Sequence, residues 1–293
     1  MENIKYINRQ TGQFITEKPP GEGFLKFLYH NPFGELALNF LVKRKLLSAL
    51  YGRMMDRRNS VKRIPKFVAD LNIDMSEALK PIDEFTSFND FFYRKLNPQA
   101  RPIGEGLVSP ADAKLLAFEN MDAIGDFFVK GQKFTLATYL QNEQLAKKYK
   151  NFALLIFRLA PNDYHRFHFP YDGEVSETTK INGAYFSVSP YALEPNFTRV
   201  FCENKREYLT LFTKDKGDIL LSPVGATMVG TIIETYTPNT YVNKGDEMGY
   251  FAFGGSTVVM LIDNQHFTID KDILENTKNK IETAVVMGET IGR

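Results

Sequence analysis

The residues best suited to covalent chemistry lie in the run Gly254-Gly255-Ser256-Thr257, between an aromatic-rich segment and an apolar one. Paired glycines permit backbone conformations and close approaches that a Cβ would forbid, so a hydroxyl can reach the Gly255 carbonyl. We therefore expect a hairpin or bulge with Ser256 at the bend, and the Gly255–Ser256 peptide bond is a candidate reaction site. The local alternative is an ordinary turn in which Ser256 and Thr257 only satisfy backbone groups.

Two of the four histidines, His165 and His168, lie three residues apart between Pro161 and Pro170. Imidazoles titrate near neutral pH, so the two rings could divide acid and base work between them. A metal site with Asp163 as a third ligand is the alternative, but a catalytic zinc site needs a clearer ligand set. The spacing therefore favours acid-base chemistry without a metal.

One carboxylate, Asp112, occupies a segment typical of a turn, Ser109-Pro110-Ala111-Asp112. Most aspartates in turns accept local backbone hydrogen bonds, and Asp112 can be explained in that way. With a serine and a histidine elsewhere, it could instead orient an imidazole that deprotonates Ser256. Such triads are defined by their geometry and not by their order in the chain.

The composition excludes several classes of protein. The 293 residues carry 36 lysines and arginines against 35 acidic residues, so the overall charge indicates no partner. The single cysteine, Cys202, can form neither an intramolecular disulfide nor a zinc cluster, which fits a reducing cytoplasmic setting. We expect no signal peptide and no membrane-spanning helix, because no apolar run is long enough.

The elements that must position these residues change character near residue 100. Aromatic and leucine residues from Phe24 to Tyr51 predict helices on either side of Asn31-Pro32, and residues 67–100 also appear helical, with a start at Ser87. Nine basic residues and one acidic residue between Lys43 and Lys66 give that window a net charge of +8. Beside apolar helices, this charge predicts a surface for anionic lipid. A solvated helical face is the alternative, and nucleic-acid binding is disfavoured because no recognised motif accompanies the charge.

After Arg101 the pattern becomes that of short β-strands separated by turn residues. The predicted strands include Ala153 to Leu159, Tyr208 to Phe212, Ile219 to Leu221, Thr227 to Tyr236 and Thr257 to Ile262. The sequence therefore predicts an α+β protein, with an N-terminal arm and helical region over residues 1–100 and a β-rich catalytic domain over residues 101–293.

Seven strings in one order resemble the phosphatidylserine decarboxylase proenzymes, which are pyruvoyl-dependent enzymes of phospholipid synthesis. The strings are SFNDFFYRKLNPQARPI (87–103), SPADAKL (109–115), VKGQKFTL (129–136), PNDYHRFHFP (161–170), GAYFSVSP (183–190), SPVGATMVGTI (222–232) and KGDEMGYFAFGGSTVV (244–259). Gly-Gly-Ser-Thr is similar to a variant of the family's cleavage motif.

The resemblance implies a chain that cuts itself. The Ser256 hydroxyl would attack the Gly255 carbonyl, and elimination followed by hydrolysis would leave a covalent pyruvoyl group derived from Ser256. The products would be a β chain of residues 1–255 and an α chain of residues 256–293, which together form a heterodimer, with a higher oligomer as the alternative. The cofactor would thus be pyruvate made from the chain itself.

The resemblance also implies roles for the candidate residues. Asp112, His168 and Ser256 would form a protease-like triad for the cleavage, with His168 as the base and Asp112 as its orienter. The pyruvoyl carbonyl would form a Schiff base with phosphatidylserine and accept the electrons left by CO₂. His165 would act in the decarboxylation, in Schiff-base chemistry or in reprotonation of the carbanion.

The implied fold is a β-rich hybrid barrel or sandwich with an N-terminal helical membrane-contact region. The partners would be phosphatidylserine and an anionic membrane, without nucleic acid. The protein would be located at the cytoplasmic face of the cell membrane, as a peripheral protein. Two other functions remain possible from the residues. One is a serine hydrolase using Asp112, His168 and Ser256, and the other is a non-catalytic membrane-binding hybrid-barrel module.

Overall fold

The computed structural model describes residues 5–17, 52–120, 134–184, 186–188, 200–225, 232–252 and 256–293. The predicted helices between Phe24 and Tyr51, with His30 among their residues, lie outside these ranges, and so does Gly255. Within the ranges, no helix is both long and apolar enough to cross a membrane.

Most of the regular structure is β. The strands are β1 (Lys5–Asn8), β2 (Phe14–Thr16), β3 (Leu107–Val108), β4 (Ala113–Phe118), β5 (Ala153–Leu159), β6 (Arg166–His168), β7 (Gly173–Val175), β8 (Thr179–Ile181), β9 (Arg206–Phe212), β10 (Asp218–Gly225), β11 (Ile232–Glu234), β12 (Tyr241–Val242), β13 (Glu247–Phe251), β14 (Ser256–Ile262), β15 (Glu282–Val285) and β16 (Thr290–Gly292). The α-helices are α1 (Ile64–Leu71), α2 (Phe88–Phe92), α3 (Leu136–Leu140), α4 (Glu143–Lys148) and α5 (Lys271–Lys278).

Eleven of the strands form one mixed sheet in the order β12-β7-β9-β10-β14-β5-β4-β15-β1-β2, with β8 paired to β9. Two small sheets complete the β structure, β11-β13-β6 and β16-β3. The predicted α+β class is therefore confirmed. The pairing path of the large sheet has two open ends, so the strands described here do not close into the barrel that was expected.

Strand β14 lies near the middle of the large sheet, antiparallel to β10 on one side and β5 on the other. All seven of its residues are buried. Such a strand must be apolar on both faces, which explains the uninterrupted run Val258-Val259-Met260-Leu261-Ile262. Strand β14 therefore obtains its central position by pairing with β10 and β5, which are both distant in sequence.

The two faces of β14 contribute to two different cores. Val258 and Met260 belong to the first core, while Val259 and Leu261 belong to the second. Because side chains alternate along a strand, Ser256 points to the face of the first core and Thr257 to the face of the second. The elements over the first core are therefore the ones that can meet Ser256.

The small sheet β11-β13-β6 contributes Phe167, Met248 and Phe251 to the first core. The predicted hairpin at the glycine pair is wrong, because β13 pairs with β6 and β11, whereas β14 pairs with β10 and β5. The segment around Gly254 therefore connects two sheets. Ser256 begins a strand and does not occupy a bend.

The N-terminal helical part has a separate aromatic core. Phe85 and Phe88 pack edge-on against Phe91 and Phe67, with ring centroids 5.0–5.6 Å apart. Such aromatic pairs contribute about 0.5–1.5 kcal/mol each beyond their buried area. Ser87 caps α2 by accepting a hydrogen bond from the Asp90 amide at 3.1 Å, so the predicted helix start is confirmed.

The rest of residues 67–100 is less helical than predicted. Helix α1 ends at Leu71, and its C-cap residue Asn72 adopts a left-handed conformation with φ 50°. Short 3₁₀ turns follow at Met75–Glu77 and Ile82–Glu84. Pro81 and Pro98 lack the amide hydrogen that an α-helix interior requires. These two prolines interrupt the helix that the apolar spacing alone predicts.

Candidate active site

Ser256 is the first residue of β14 and has no exposed surface. Its hydroxyl forms no hydrogen bond with any residue that the structure describes. A buried hydroxyl without a partner costs about 1–3 kcal/mol, so most native structures avoid it. Gly255, the other half of the predicted cleavage site, lies outside the described residues.

A glycine, Gly225, stands opposite Ser256 on β10, and Leu159 stands opposite on β5. Since Gly225 is a glycine, no side chain stands opposite Ser256 on the β10 side. Asn204, which is fully buried, donates to the Gly225 carbonyl at 2.9 Å and accepts from the Phe186 amide at 2.7 Å. Asn204 therefore fixes the strand end that faces Ser256.

His168, at the end of β6, has both ring nitrogens engaged. Its Nδ1 is 2.9 Å from the Gly245 carbonyl oxygen, and its Nε2 is 3.3 Å from the Tyr164 hydroxyl. A carbonyl can only accept, so Nδ1 carries the proton and Nε2 is the basic nitrogen. Gly245 has φ +89°, a conformation that favours glycine, and this places its carbonyl at the ring.

Burial lowers the pKa of His168, and the hydrogen bond to Gly245 opposes this only in part. The ring is therefore neutral at pH 7, which is the form that a general base requires. His168 stands between Phe167 and Phe169 of the first core, so strand alternation directs its ring to the opposite face.

His165 precedes β6 and is fully buried. Its Nδ1 donates to the Asp163 carbonyl at 2.9 Å, and its ring lies 3.9 Å from that of Phe92, between centroids. Its own carbonyl accepts a hydrogen bond from the Phe251 amide at 3.0 Å. His165 is thus hydrogen-bonded to Phe251, the last residue of β13, which lies five positions before Ser256.

Asp112, next to β4, is almost completely buried, and its carboxylate is bound by Arg101. Arg101 donates through Nε to Oδ1 at 2.9 Å and through Nη2 to Oδ2 at 2.6 Å, and the Met287 amide donates to Oδ1 at 2.8 Å. Arg101 makes a second fork to Glu77, with both distances 2.9 Å. Both carboxylate oxygens of Asp112, the residue predicted to orient the histidine, are therefore already bound by Arg101.

Asp112, His168 and Ser256 are not joined by hydrogen bonds in this structure, although all three lie in described segments. Asp112 and His168 are neighbours, because the His168 amide donates to the Pro110 carbonyl at 2.8 Å. The three elements that carry the trio therefore meet around the first core. A relay among them would require His168 to exchange its present partners, so the predicted triad stays a prediction.

A second buried ion pair lies beside the histidine loop. Lys114 and Asp163 are 2.6 Å apart, and the Asp163 carboxylate also accepts from the Ala160 amide at 2.7 Å. Burial by itself would lower the pKa of Lys114, but the Asp163 carboxylate outweighs it and raises the pKa, so Lys114 keeps its charge. The pair holds the turn that leads from β5 to His165.

The Asp163 carboxylate therefore pairs with a buried lysine and does not complete a metal site. Its carboxylate contacts Lys114, and only its backbone carbonyl contacts His165. Across the described ranges, no group of three histidine, cysteine or acidic side chains could hold a metal ion. His266 lies outside any motif and is exposed.

Comparison with known proteins identifies the family. A family model described as phosphatidylserine decarboxylase matches residues 88–293. Three relatives are each named phosphatidylserine decarboxylase proenzyme. They come from Fusobacterium nucleatum subsp. nucleatum (55% identical, covering 99% of this chain and 98% of the relative), Clostridium novyi strain NT (49%, 99% and 99%) and Clostridium tetani (47%, 99% and 98%). The chain belongs to the phosphatidylserine decarboxylase family, and the resemblance seen in the seven strings is confirmed.

Sequence reasoning missed three residues of this region. Arg94 and Arg101 both lie in the string SFNDFFYRKLNPQARPI, which supported the family resemblance but was given no chemical role. The arginine side chains are almost completely buried, a property that the string does not reveal. Asn204 carries no signal beyond its place between charged residues.

Proposed function

We propose that this protein decarboxylates phosphatidylserine to phosphatidylethanolamine and CO₂, using a pyruvoyl group that it makes from Ser256. The observation that carries the proposal is the Ser256 hydroxyl, which is buried and without a hydrogen-bond partner among the described residues. A structural serine in a central strand would normally bond to a neighbour. A reacting serine must instead keep its lone pairs available.

The pyruvoyl group forms in three balanced steps. The Ser256 oxygen attacks the Gly255 carbonyl carbon, and the Gly255–Ser256 amide becomes an ester as the serine nitrogen gains a proton. Loss of the Ser256 Cα proton then expels the Gly255 carboxylate and leaves a dehydroalanine at the start of the new chain. This residue tautomerises to an imine, and water replaces its nitrogen, giving a ketone and ammonia.

His168 is the proposed base for the first step. Its neutral Nε2 would be available to Ser256 once the contact with Tyr164 is broken and the ring turns toward the first core. In the present arrangement the Gly245 carbonyl keeps the proton on Nδ1. Asp112 is the proposed orienter, and it would act electrostatically from its place beside Pro110. General bases of this kind contribute about 10²- to 10⁴-fold to a rate. His165 is assigned to the decarboxylation, because it is attached to the strand that leads to Ser256.

The site fits a pyruvoyl group, because Ser256 is enclosed and its neighbour on β10, Gly225, has no side chain. The group supplies a carbonyl that takes up the electrons left behind by CO₂. Enclosure by the first core excludes water, and His165 can hold or deliver the proton that replaces CO₂. Residues of this chain would thus exclude water and supply the proton.

Cleavage would leave two chains that stay together. The α chain would contribute β14 to the middle of the large sheet, between β10 and β5 of the β chain. Strand β15, also in the α chain, pairs with β4 and β1. Separation would expose every one of these ladders and both cores, so we infer a stable αβ heterodimer.

We also infer that the protein acts at the cytoplasmic face of the cell membrane, as a peripheral protein. A diacyl lipid leaves a bilayer only at high cost, so the site must come to the interface. Arg53, Arg57, Arg58 and Lys62 of the basic window are all exposed, as contact with anionic headgroups requires.

Mass spectrometry of the purified protein tests the proposal. We expect a chain of residues 1–255 and a chain of residues 256–293 whose mass is lower than that of the serine-initiated peptide by one ammonia. The Ser256→Ala variant should remain one chain and be inactive. An intact wild-type chain whose Ser256 reacts with acyl-serine probes would favour the serine hydrolase instead. An intact, unreactive chain that binds lipid would favour the non-catalytic module.

A further inference from the structure

Arg94, two residues beyond α2, is a buried cation without a counterion of its own. It is 5% exposed, and its Nε has no hydrogen-bond partner in the part of the chain that the structure covers. Its one polar contact there is a long one of 3.5 Å, from Nη2 to the Asn162 carbonyl. The guanidinium carbon lies 5.2 Å from the centre of the Phe91 ring.

The nearby carboxylates already have other partners. Arg101 binds both Asp112 and Glu77, and Lys114 binds Asp163. The burial of Arg94 lowers its pKa, but an arginine remains charged in proteins. A guanidinium has five N–H donors in a fixed fork, and leaving the buried Nε donor unfilled is unfavourable unless a ligand completes it.

The position of Arg94 links it to the reaction site. Asn162 lies three residues after Leu159, the cross-strand partner of Ser256, and three residues of chain span at most about 11 Å. The turn is tight, because the Asp163 amide donates to the Ala160 carbonyl at 2.9 Å. The same turn continues to His165, whose ring packs on Phe92 of the helix before Arg94. Arg94 thus contacts the loop between the partner of Ser256 and His165.

We propose that Arg94 binds the phosphodiester of the phospholipid headgroup, an inference that rests on the proposed function. The substrate has two anionic groups, a carboxylate and a phosphodiester. Decarboxylation removes the charge of the carboxylate, so a cation bound there would stabilise the substrate more than the transition state. The phosphodiester keeps its charge throughout. Guanidinium also matches phosphate oxygens with two parallel hydrogen bonds.

The test compares Arg94→Gln, Arg94→Lys and the control Lys278→Gln, which removes an exposed charge at the end of α5. Three quantities are measured: self-cleavage on a gel, KM and kcat with phosphatidylserine in detergent micelles, and binding of dihexanoyl phosphatidylethanolamine, which has a phosphate but no carboxylate. For Arg94→Gln we expect normal cleavage, a KM raised about 10- to 100-fold, a kcat within a few-fold of wild type, and a matching loss of phosphatidylethanolamine affinity. Arg94→Lys should recover part of both losses, and the control should show none.

Two outcomes would overturn the inference. A raised KM with unchanged phosphatidylethanolamine binding would assign Arg94 to the carboxylate, and failure of cleavage in both Arg94 variants would assign it to the fold. Absence of decarboxylation in cleaved wild-type protein would instead refute the proposed function. The phosphatidylethanolamine binding measurement would still decide the role of Arg94 in that case.

Discussion

Arg101 holds Asp112 in a two-pronged ion pair, with N–O distances of 2.9 and 2.6 Å. This contact connects the N-terminal helical region to the turn before β4, since Arg101 also binds Glu77. It fixes the carboxylate close to the backbone of β6. The arginine is therefore a positioning residue for the proposed cleavage machinery.

Arg101→Met should accumulate uncleaved precursor, as should Asp112→Asn. Removing the arginine leaves a buried carboxylate without its cation, a change that typically costs about 3–5 kcal/mol. The measurement is the half-time of precursor loss on a gel after synthesis. Arg9→Met is the control, because Arg9 also bridges several carboxylates, those of Asp270, Asp272 and Glu289. Equal slowing in the control would show a general loss of stability and contradict the positioning role.

The two histidines should separate the two halves of the reaction. His168→Ala should remain uncleaved, because it lacks the proposed base for Ser256. His165→Ala should cleave to a substantial extent and decarboxylate poorly. Gel analysis together with CO₂ release distinguishes the two variants. If both fail to cleave to the same degree, the division of labour is wrong, while the family assignment stands.

Cleavage should persist in mildly acidic solution. The usual pKa of histidine is about 6.5, and burial lowers that of His168. Because the base must be unprotonated, half-maximal cleavage should lie below pH 6.5. Freshly synthesised precursor can be followed by gel across pH, with circular dichroism as a control for folding. Half-maximal cleavage at or above pH 6.5 in a folded protein would exclude His168 as the base.

The Lys114–Asp163 pair should contribute strongly to stability. Lys114→Met leaves Asp163 buried without its cation, and we expect the free energy of unfolding to fall by about 3–5 kcal/mol. Urea unfolding should be measured in the Ser256→Ala background, where the protein is one chain. Lys66→Met is the control, because Lys66 and Asp70 form an exposed pair, whose loss should cost less than about 1 kcal/mol. Similar effects in both variants would contradict the buried pair's role.

Membrane binding should depend on the exposed basic residues. Replacing Arg53, Arg57, Arg58 and Lys62 with glutamine should weaken binding to phosphatidylserine vesicles strongly at moderate salt, since each contributes at most about 1 kcal/mol. Self-cleavage should be unaffected, because it needs no lipid.

A matched control replaces four exposed lysines outside the basic window, Lys147, Lys150, Lys271 and Lys278, with glutamine. Vesicle flotation compares the two quadruple variants. Unchanged affinity in the first would mean that the basic window is a solvated face and that docking occurs elsewhere.

The sequence by itself determined the features that depend on local chemistry. The glycine pair before Ser256 and the two histidines between prolines point to the candidate reacting groups, and their strings carry the family resemblance. The α+β class and the start of α2 at Ser87 also follow from local patterns, because strand alternation and helix capping involve residues only a few positions apart.

Only the tertiary structure decided which residues meet. The hairpin expected at Gly254-Gly255 failed because strand pairing is chosen by burial over the whole sheet, and β14 is most fully buried between β10 and β5. The partner of Asp112 was likewise undetermined, since the Met287 amide that binds it lies 175 residues away. Contacts of this kind form only when distant segments are brought together by a shared core, and no local pattern records them.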